Sequence, residues 1–145
     1  MTVSELMVAP MRRELTALGF VELRSPDDVD RFMAESKDGV ALLAVNSICG
    51  SAASTMRPAL ARALTHAVRP DMLGTVFAGQ DADATSRARE YFTGYPPSSP
   101  AIALFRKGQL VMMIQRPQIK AHHPAFLGDE LAEAVRRALG EDVAA

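Results

Sequence analysis

The apolar positions of this chain fall into short runs of two kinds, continuous and helically spaced. Val40, Ala41, Leu42, Leu43, Ala44 and Val45 are continuous, the pattern of a strand buried on both faces. Directly afterwards the spacing becomes helical, with Ala53, Met56, Leu60, Leu64 and Ala67 on one stripe. Pro58 falls inside that helix and predicts a lost backbone hydrogen bond and a bend near Ser54 and Thr55. Upstream, residues 1–9 read as a lead-in, and Pro10 opens a helix carrying Met11, Leu15 and Leu18, with Gly19 as its C′ residue. Phe20 to Leu23 reads as a short strand. Ser25-Pro26-Asp27-Asp28 is a helix start in which Ser25 caps, Pro26 takes the first turn and Asp28 completes a capping box. Val29, Phe32 and Met33 form that helix's buried stripe, and Lys37-Asp38-Gly39 ends it.

Downstream, Arg69-Pro70-Asp71 breaks the pattern, and Met72 to Gly79 reads as a second buried strand. Asp81 is placed to cap a helix running to Phe92, with Ala84, Ala88, Tyr91 and Phe92 inward. A loop from Gly94 to Pro100 leads into Ala101–Phe105 and Leu110–Ile114, a hairpin turning at Arg106-Lys107-Gly108-Gln109, where Gly108 is free to take positive φ. Gln115 to Phe126 reads as irregular and polar. A last helix runs from Gly128 or Asp129 to Leu139, with Leu131 and Val135 inward and Gly140 closing it. The order α, β, α, β, α, β, α, β, β, α predicts an α/β domain. Its central mixed sheet has parallel strands joined by a crossover, a C-terminal β-hairpin, and helices on both faces.

Composition narrows the class. The chain has 145 residues, the size of one domain spanning 1–145, with 48% hydrophobic and 23% charged residues. A formal net charge of −1 offers no basic surface for nucleic acid or an anionic membrane. No apolar run approaches the roughly 18–20 residues that span a bilayer. Met11-Arg12-Arg13-Glu14 interrupts any signal-peptide core with charge. A single cysteine forms no internal disulfide, so a reducing, cytoplasmic setting is expected.

That cysteine is the chemical focus. Cys49 follows the continuous strand and opens the helix after it, within Ala44-Val45-Asn46-Ser47-Ile48-Cys49-Gly50-Ser51. There, unpaired backbone N–H groups and the helix dipole favour thiolate, the form that attacks disulfides. A buried, inert thiol is the plain alternative. Ser51 can donate to the sulfur through its N–H or hydroxyl, or serve only as a first-turn residue. Asn46, with Ser47, stands at the strand's end, either toward substrate or satisfying local backbone groups. The histidines give little support to other chemistry. His122 and His123 are adjacent and His66 is distant in sequence, so no metal-ligand spacing appears, and no motif supports a Cys–His hydrolase. The eight methionines fall mostly on apolar stripes and read as core filler.

An active-site cysteine after a central strand, a Pro-bent helix and a Ser-Pro before a late hairpin resemble the thioredoxin-like fold. Pro10-Met11-Arg12-Arg13-Glu14-Leu15-Thr16, Val45-Asn46-Ser47-Ile48-Cys49-Gly50, Arg57-Pro58-Ala59 and Pro96-Pro97-Ser98-Ser99-Pro100 together resemble the bacilliredoxin family across nearly the whole chain. The resemblance implies a cytosolic thiol–disulfide oxidoreductase, disulfide-isomerase-like, that removes bacillithiol or a similar low-molecular-weight thiol from thiolated proteins. It implies no cofactor, the small thiol being the co-substrate. Cys49 carries over as nucleophile, with Gly50 and Ser51 completing the motif. The family's usual motif is Cys-Gly-Cys, and here Ser51 replaces the second cysteine, so an intramolecular disulfide is impossible. Two origins fit that serine, a natural monothiol member or a substitution that traps an intermediate. The resemblance also implies a cis peptide before Pro100, with Ser99 beside Cys49 and its backbone open to an extended substrate. The competing reading is a non-catalytic redox sensor or interaction module whose Cys49 is reversibly thiolated.

Overall fold

The computed structural model describes residues 4–66 and 68–140, so Ala67 of the helical stripe and the ends of the chain lie outside the described residues. Within them six α-helices and five strands follow one another. They are α1 (Glu5–Thr16), β1 (Val21–Glu22), α2 (Pro26–Glu35), β2 (Val40–Asn46), α3 (Arg57–Ala63), β3 (Met72–Phe77), α4 (Ala82–Glu90), β4 (Ala101–Arg106), β5 (Gln109–Ile114), α5 (Arg116–Ala121) and α6 (Pro124–Ala138). The sheet order is β1-β3-β2-β4-β5, which puts the continuous apolar strand β2 in the middle. β2 pairs in parallel with β3 and antiparallel with β4, so the sheet is mixed as its element order requires.

Burial on both faces explains the unbroken apolar run. Val40, Leu42 and Ala44 enter one core with Ile102 and Leu104 of β4, roofed by Leu15 of α1, Leu60 of α3 and Leu131 of α6. Ala41, Leu43 and Val45 enter the other with Ala103 and Phe105, roofed by Phe32 of α2 and Ala88 of α4. Successive side chains of one strand thus serve opposite layers. At Gly74 of β3 the second layer presses close. A Cβ there would lie 2.8 Å from the Phe32 ring and 3.0 Å from Leu23. The hairpin turns at Lys107 and Gly108, both with positive φ (51° and 76°), the conformation that matches strand twist in a two-residue turn.

Four expectations change. First, α1 begins five residues before Pro10, at Glu5, with the Ser4 hydroxyl accepting from the Leu6 N–H. Its first turn lies in solvent, which suits the carbonyl that Pro10 leaves without a helical partner. Its buried positions are Val8, Arg12 and Leu15, and the Arg12 guanidinium is bonded to Glu5, Glu22 and Asp81 and stacked over Phe77. Second, Asp81 stands at the α4 N-cap position but its side chain does not cap. The carboxylate is drawn instead to Arg12 (2.8 Å) and Arg24 (3.1 Å), charge-assisted bonds stronger than a neutral cap. Third, Gln115 to Phe126 is not irregular. Gln118 accepts from the Gln115 N–H (2.8 Å) to start α5, and His123 Nδ1 accepts from the Ala125 N–H to start α6 at Pro124.

Fourth, Pro58 acts through a π turn. Residues Ala52–Met56 form it, closed by the Arg57 N–H to the Ala52 carbonyl, and α3 then starts with Pro58 in its first turn. A turn with more residues per revolution rephases the stripe, so Ala52 is buried and Ala53 exposed, with Met56 and Leu60 inward as expected. The helix then ends at Ala63.

Gly128 sets how closely α6 lies on α3, since a Cβ there would sit 2.8 Å from the Ala59 carbonyl oxygen. In an isolated helix Gly→Ala gains about 1 kcal/mol. Here backbone overlap dominates, and Gly128→Ala is expected to destabilise by about 1–3 kcal/mol, read as a lower denaturation midpoint. An unchanged or higher midpoint would mean that the two helices part at no cost.

Candidate functional site

Three strand ends meet where β2 finishes. Val45 pairs with Ala101 at the start of β4, and Ile102 pairs with Ile114 at the end of β5. The segments leaving those residues (Asn46 to Ser51, Ser98 to Pro100, and Gln115 onward) are therefore neighbours at one edge of the fold. Two side chains shape the first of them. The Asn46 Oδ1 accepts from the Ser47 N–H (2.9 Å), and the Ser47 hydroxyl accepts from the Cys49 N–H (2.9 Å). Below them Arg57, 3% exposed, donates from Nη1 to Asn46 Oδ1 (2.9 Å) and to the Ser47 carbonyl (3.0 Å). Its Nε lies 3.1 Å from Glu14 Oε1, within ion-pair reach but out of line for a hydrogen bond. Asn46 is 1% exposed and its amide nitrogen donates to the Met11 carbonyl. It supports the turn from beneath, with its side chain turned away from solvent.

Cys49 itself is part-exposed and free, beside exposed Ile48. Its thiol is held below its ordinary value, first by the Ser51 hydroxyl 3.4 Å from Sγ and second by the Ser51 N–H. Partial burial opposes this, and the charges of Arg116 and Lys120 add to it. Both cations stand on α5, the stretch that sequence patterning left without structure. The Ser51 contacts come first because a hydrogen bond to a thiolate is short-ranged and directional, whereas exposed cations are screened by water.

The segment before β4 stands at the same edge. The Ser99–Pro100 peptide is cis. Ser98 accepts from the Arg116 N–H (2.8 Å), and Gln115 Nε2 donates to the Pro96 carbonyl (2.9 Å), so this segment is tied to the start of α5. Among the described residues the backbone groups of Ser99 have no hydrogen-bond partner. A cleft of about 500 Å³ opens here, with Ser99, Gln115, Arg116 and Arg89 in its lining. The histidines have other tasks. His122 Nδ1 contacts the Gln118 carbonyl and its ring stacks on Phe126, His123 caps α6, and His66 faces Asp129. Among the described residues no three His, Cys, Asp or Glu side chains gather as metal ligands.

A family model described as disulphide isomerase matches residues 3–138. A bacilliredoxin of Koribacter versatilis is 54% identical over 116 residues, covering 80% of this chain and 79% of that protein. The chain belongs to the bacilliredoxin family. A second bacilliredoxin, of Salinibacter ruber, is 47% identical over 137 residues, 94% of this chain and 81% of its own length. A mutant thioredoxin from Halobacterium salinarum superposes with a TM-score of 0.55 at 15% identity over 82% of this chain and 89% of that one, a likeness of fold. The fold is thus thioredoxin-like. Family and fold together support a thiol–disulfide redox function.

Sequence reasoning missed three residues of this bacilliredoxin site. Arg57 stood in a quoted motif without a role, because burial of an arginine is a tertiary fact. Arg116 and Lys120 lie among signals that could have found α5: Gln115 and Gln118 have capping-box spacing, and Pro117 suits a first turn. Two outcomes follow from the geometry. Arg57→Met, similar in reach but without donors, is expected to cost about 2–4 kcal/mol in chemical denaturation, whereas a surface arginine would cost almost nothing. Ser51→Ala is expected to raise the pH midpoint of Cys49 alkylation by iodoacetamide and to slow alkylation at neutral pH. An unmoved midpoint would assign the acidity to the α5 cations instead.

Proposed function

We propose that this chain is a monothiol exchange catalyst that removes a low-molecular-weight thiol, bacillithiol or one like it, from mixed disulfides on cytosolic proteins. The observation that carries this reading is the part-exposed Cys49 thiol, acidified by Ser51 and two cations, at the sheet edge where the segment with the unpaired Ser99 backbone enters β4. Similarity to proteins named bacilliredoxin supports the choice of thiol.

In the first step the Cys49 thiolate attacks the small-thiol sulfur of the mixed disulfide. A new S–S bond forms between Cys49 and the small thiol. The old S–S bond breaks, and its electron pair leaves with the protein thiolate, which takes a proton from water. A second molecule of the small thiol, as thiolate, then attacks the adduct, giving the small-molecule disulfide and free Cys49. Over the cycle the protein sulfur is reduced to a thiol and the one incoming small thiol is oxidised into the small-molecule disulfide, so the electrons balance. One sulfur suffices for this cycle, and Ser51 is compatible with it because its hydroxyl stabilises Cys49 both as attacking and as leaving thiolate. An extended protein substrate can lie along the Ser99 backbone, whose N–H and carbonyl are free to pair with it.

Intact-mass analysis tests the cycle. Reduced protein incubated with a bacillithiolated test protein is expected to gain one bacillithiol while the test protein is freed, and excess bacillithiol to strip the adduct again. An adduct that persists under excess bacillithiol would make the chain a redox sensor. Cys49→Ser is expected to abolish exchange while the fold is kept, and residual exchange in that variant would overturn the mechanism, since no other thiol is present.

A further inference from the structure

The cleft beside Cys49 has a charge pattern that thiol–disulfide exchange alone does not call for. Two of its lining side chains, Arg89 and Arg116, are cationic, and none of its lining residues is acidic. Among the described residues no carboxylate pairs with either arginine. Arg89 is the more telling of the two. It makes one long bond, 3.5 Å to the Ser98 carbonyl, and its Nε is buried without a partner. Arg87, also half-buried on α4, is paired with Asp30 and Glu90, and the buried Arg12 and Arg57 are held by three carboxylates and by Asn46 with the Ser47 carbonyl. Arg89 lines the cleft with most of its donors unpaired, and an oxygen from outside would complete those that the cleft exposes.

We infer that this cleft is an anion subsite that binds the carboxylate of an acidic low-molecular-weight thiol while its sulfur reaches Cys49. This rests on the exchange reading of Cys49 given above. Arg116 joins the two places, since it lines the cleft and its charge acts on the Cys49 sulfur. Ser99 and Gln115 add polar groups around the arginines, so a carboxylate meets neutral donors as well as charge. The walls are stiff. Pro96, Pro97 and Pro117 line the cleft with fixed φ, and the Gln115–Pro96 and Arg116–Ser98 bonds lock the segment before β4 to α5. A cleft of about 500 Å³ is the size of small-molecule sites, and a preformed one loses little entropy on binding. The released protein chain lies along Ser99, and the small thiol sits to one side of it with its acidic end on Arg89.

The test compares two disulfides that differ in charge at constant ionic strength, dithiodipropionate (anionic) and hydroxyethyl disulfide (neutral). Each rate with Cys49 is divided by the rate of free mercaptoethanol with the same disulfide, which removes the intrinsic reactivity of the leaving group. The native chain is expected to prefer the anionic disulfide about tenfold, the effect of one charge-assisted hydrogen bond. Arg89→Gln and Arg116→Gln are expected to bring that ratio close to one. Lys120→Gln, which alters the field at Cys49 from outside the cleft lining, is expected to keep most of it. Succinate, which has no sulfur, should slow exchange of the native chain with dithiodipropionate more than chloride of equal ionic strength does, a readout that needs no variant. No preference in the native chain, or an equal loss in all three variants, would overturn the subsite and leave the exchange reading intact. Failure of Cys49 to exchange with either disulfide would overturn both.

Discussion

The buried guanidinium of Arg57 is the contact on which the site depends. It sits where β2 gives way to the Cys49 turn and binds the Asn46 side chain and the Ser47 carbonyl together. The Asn46 side chain in turn receives the Ser47 N–H, and the Ser47 hydroxyl receives the N–H of Cys49. Take the arginine away and the Ser47 carbonyl loses its partner in a nearly dry place, while Asn46 keeps only its bonds to Ser47 and Met11. Desolvation offsets much of the attraction of a buried charge, so the cost of losing it lies mainly in the partners left unpaired. What it fixes is direction. The chain leaves the sheet toward Cys49 along one path.

Behind that contact the sheet supplies rigidity. β2 is paired on both edges and covered on both faces, so its end is held from four sides. The π turn after Cys49 shows how the sequence reconciles a proline with a packed helix. Pro58 has no N–H to give to residue 54, and the chain widens over Ala52–Met56 before α3 starts afresh. The widened turn also carries Arg57 to the point where it reaches back under the strand end. Pro58 and Arg57, neighbours in sequence, therefore act on one feature: one reshapes the helix, the other uses the shape.

The acidity of Cys49 has a more local origin than its position at a helix start suggests. Ser51 supplies the two leading contributions, through hydroxyl and N–H, and α5 brings two positive charges from a distant part of the chain. Serine in this place keeps the electrostatic service of a neighbouring donor and gives up the second sulfur. That division suits the proposed cycle, in which an outside thiol completes the exchange.

Local pattern decided much of this protein. The continuous run Val40–Val45 could only be a strand covered on both sides, and the positive-φ hairpin turn at Gly108 was written in its flanking residues. The Ser25 cap on the Asp28 N–H, and Cys49 between a strand and a helix, were equally legible, because each signal lies within one turn or one strand, although the Asp28 carboxylate takes the Arg24 N–H and leaves the capping box half made. Tertiary structure decided the rest wherever a side chain's partner was remote. Asp81 has the identity of a cap but is claimed by Arg12 and Arg24, which are far away in sequence. Arg12 and Arg57 look like surface residues by composition, and only packing makes them interior. Asn46 offered both a substrate and a supporting role, and the layer beneath it shows the supporting bonds. Arg116 and Lys120 approach Cys49 because Ile102 pairs with Ile114 and Val45 with Ala101, a register that no short window contains. Periodicity and capping are short-range effects and travel with the sequence, whereas the meeting of charges across three strand ends exists only once the sheet has closed.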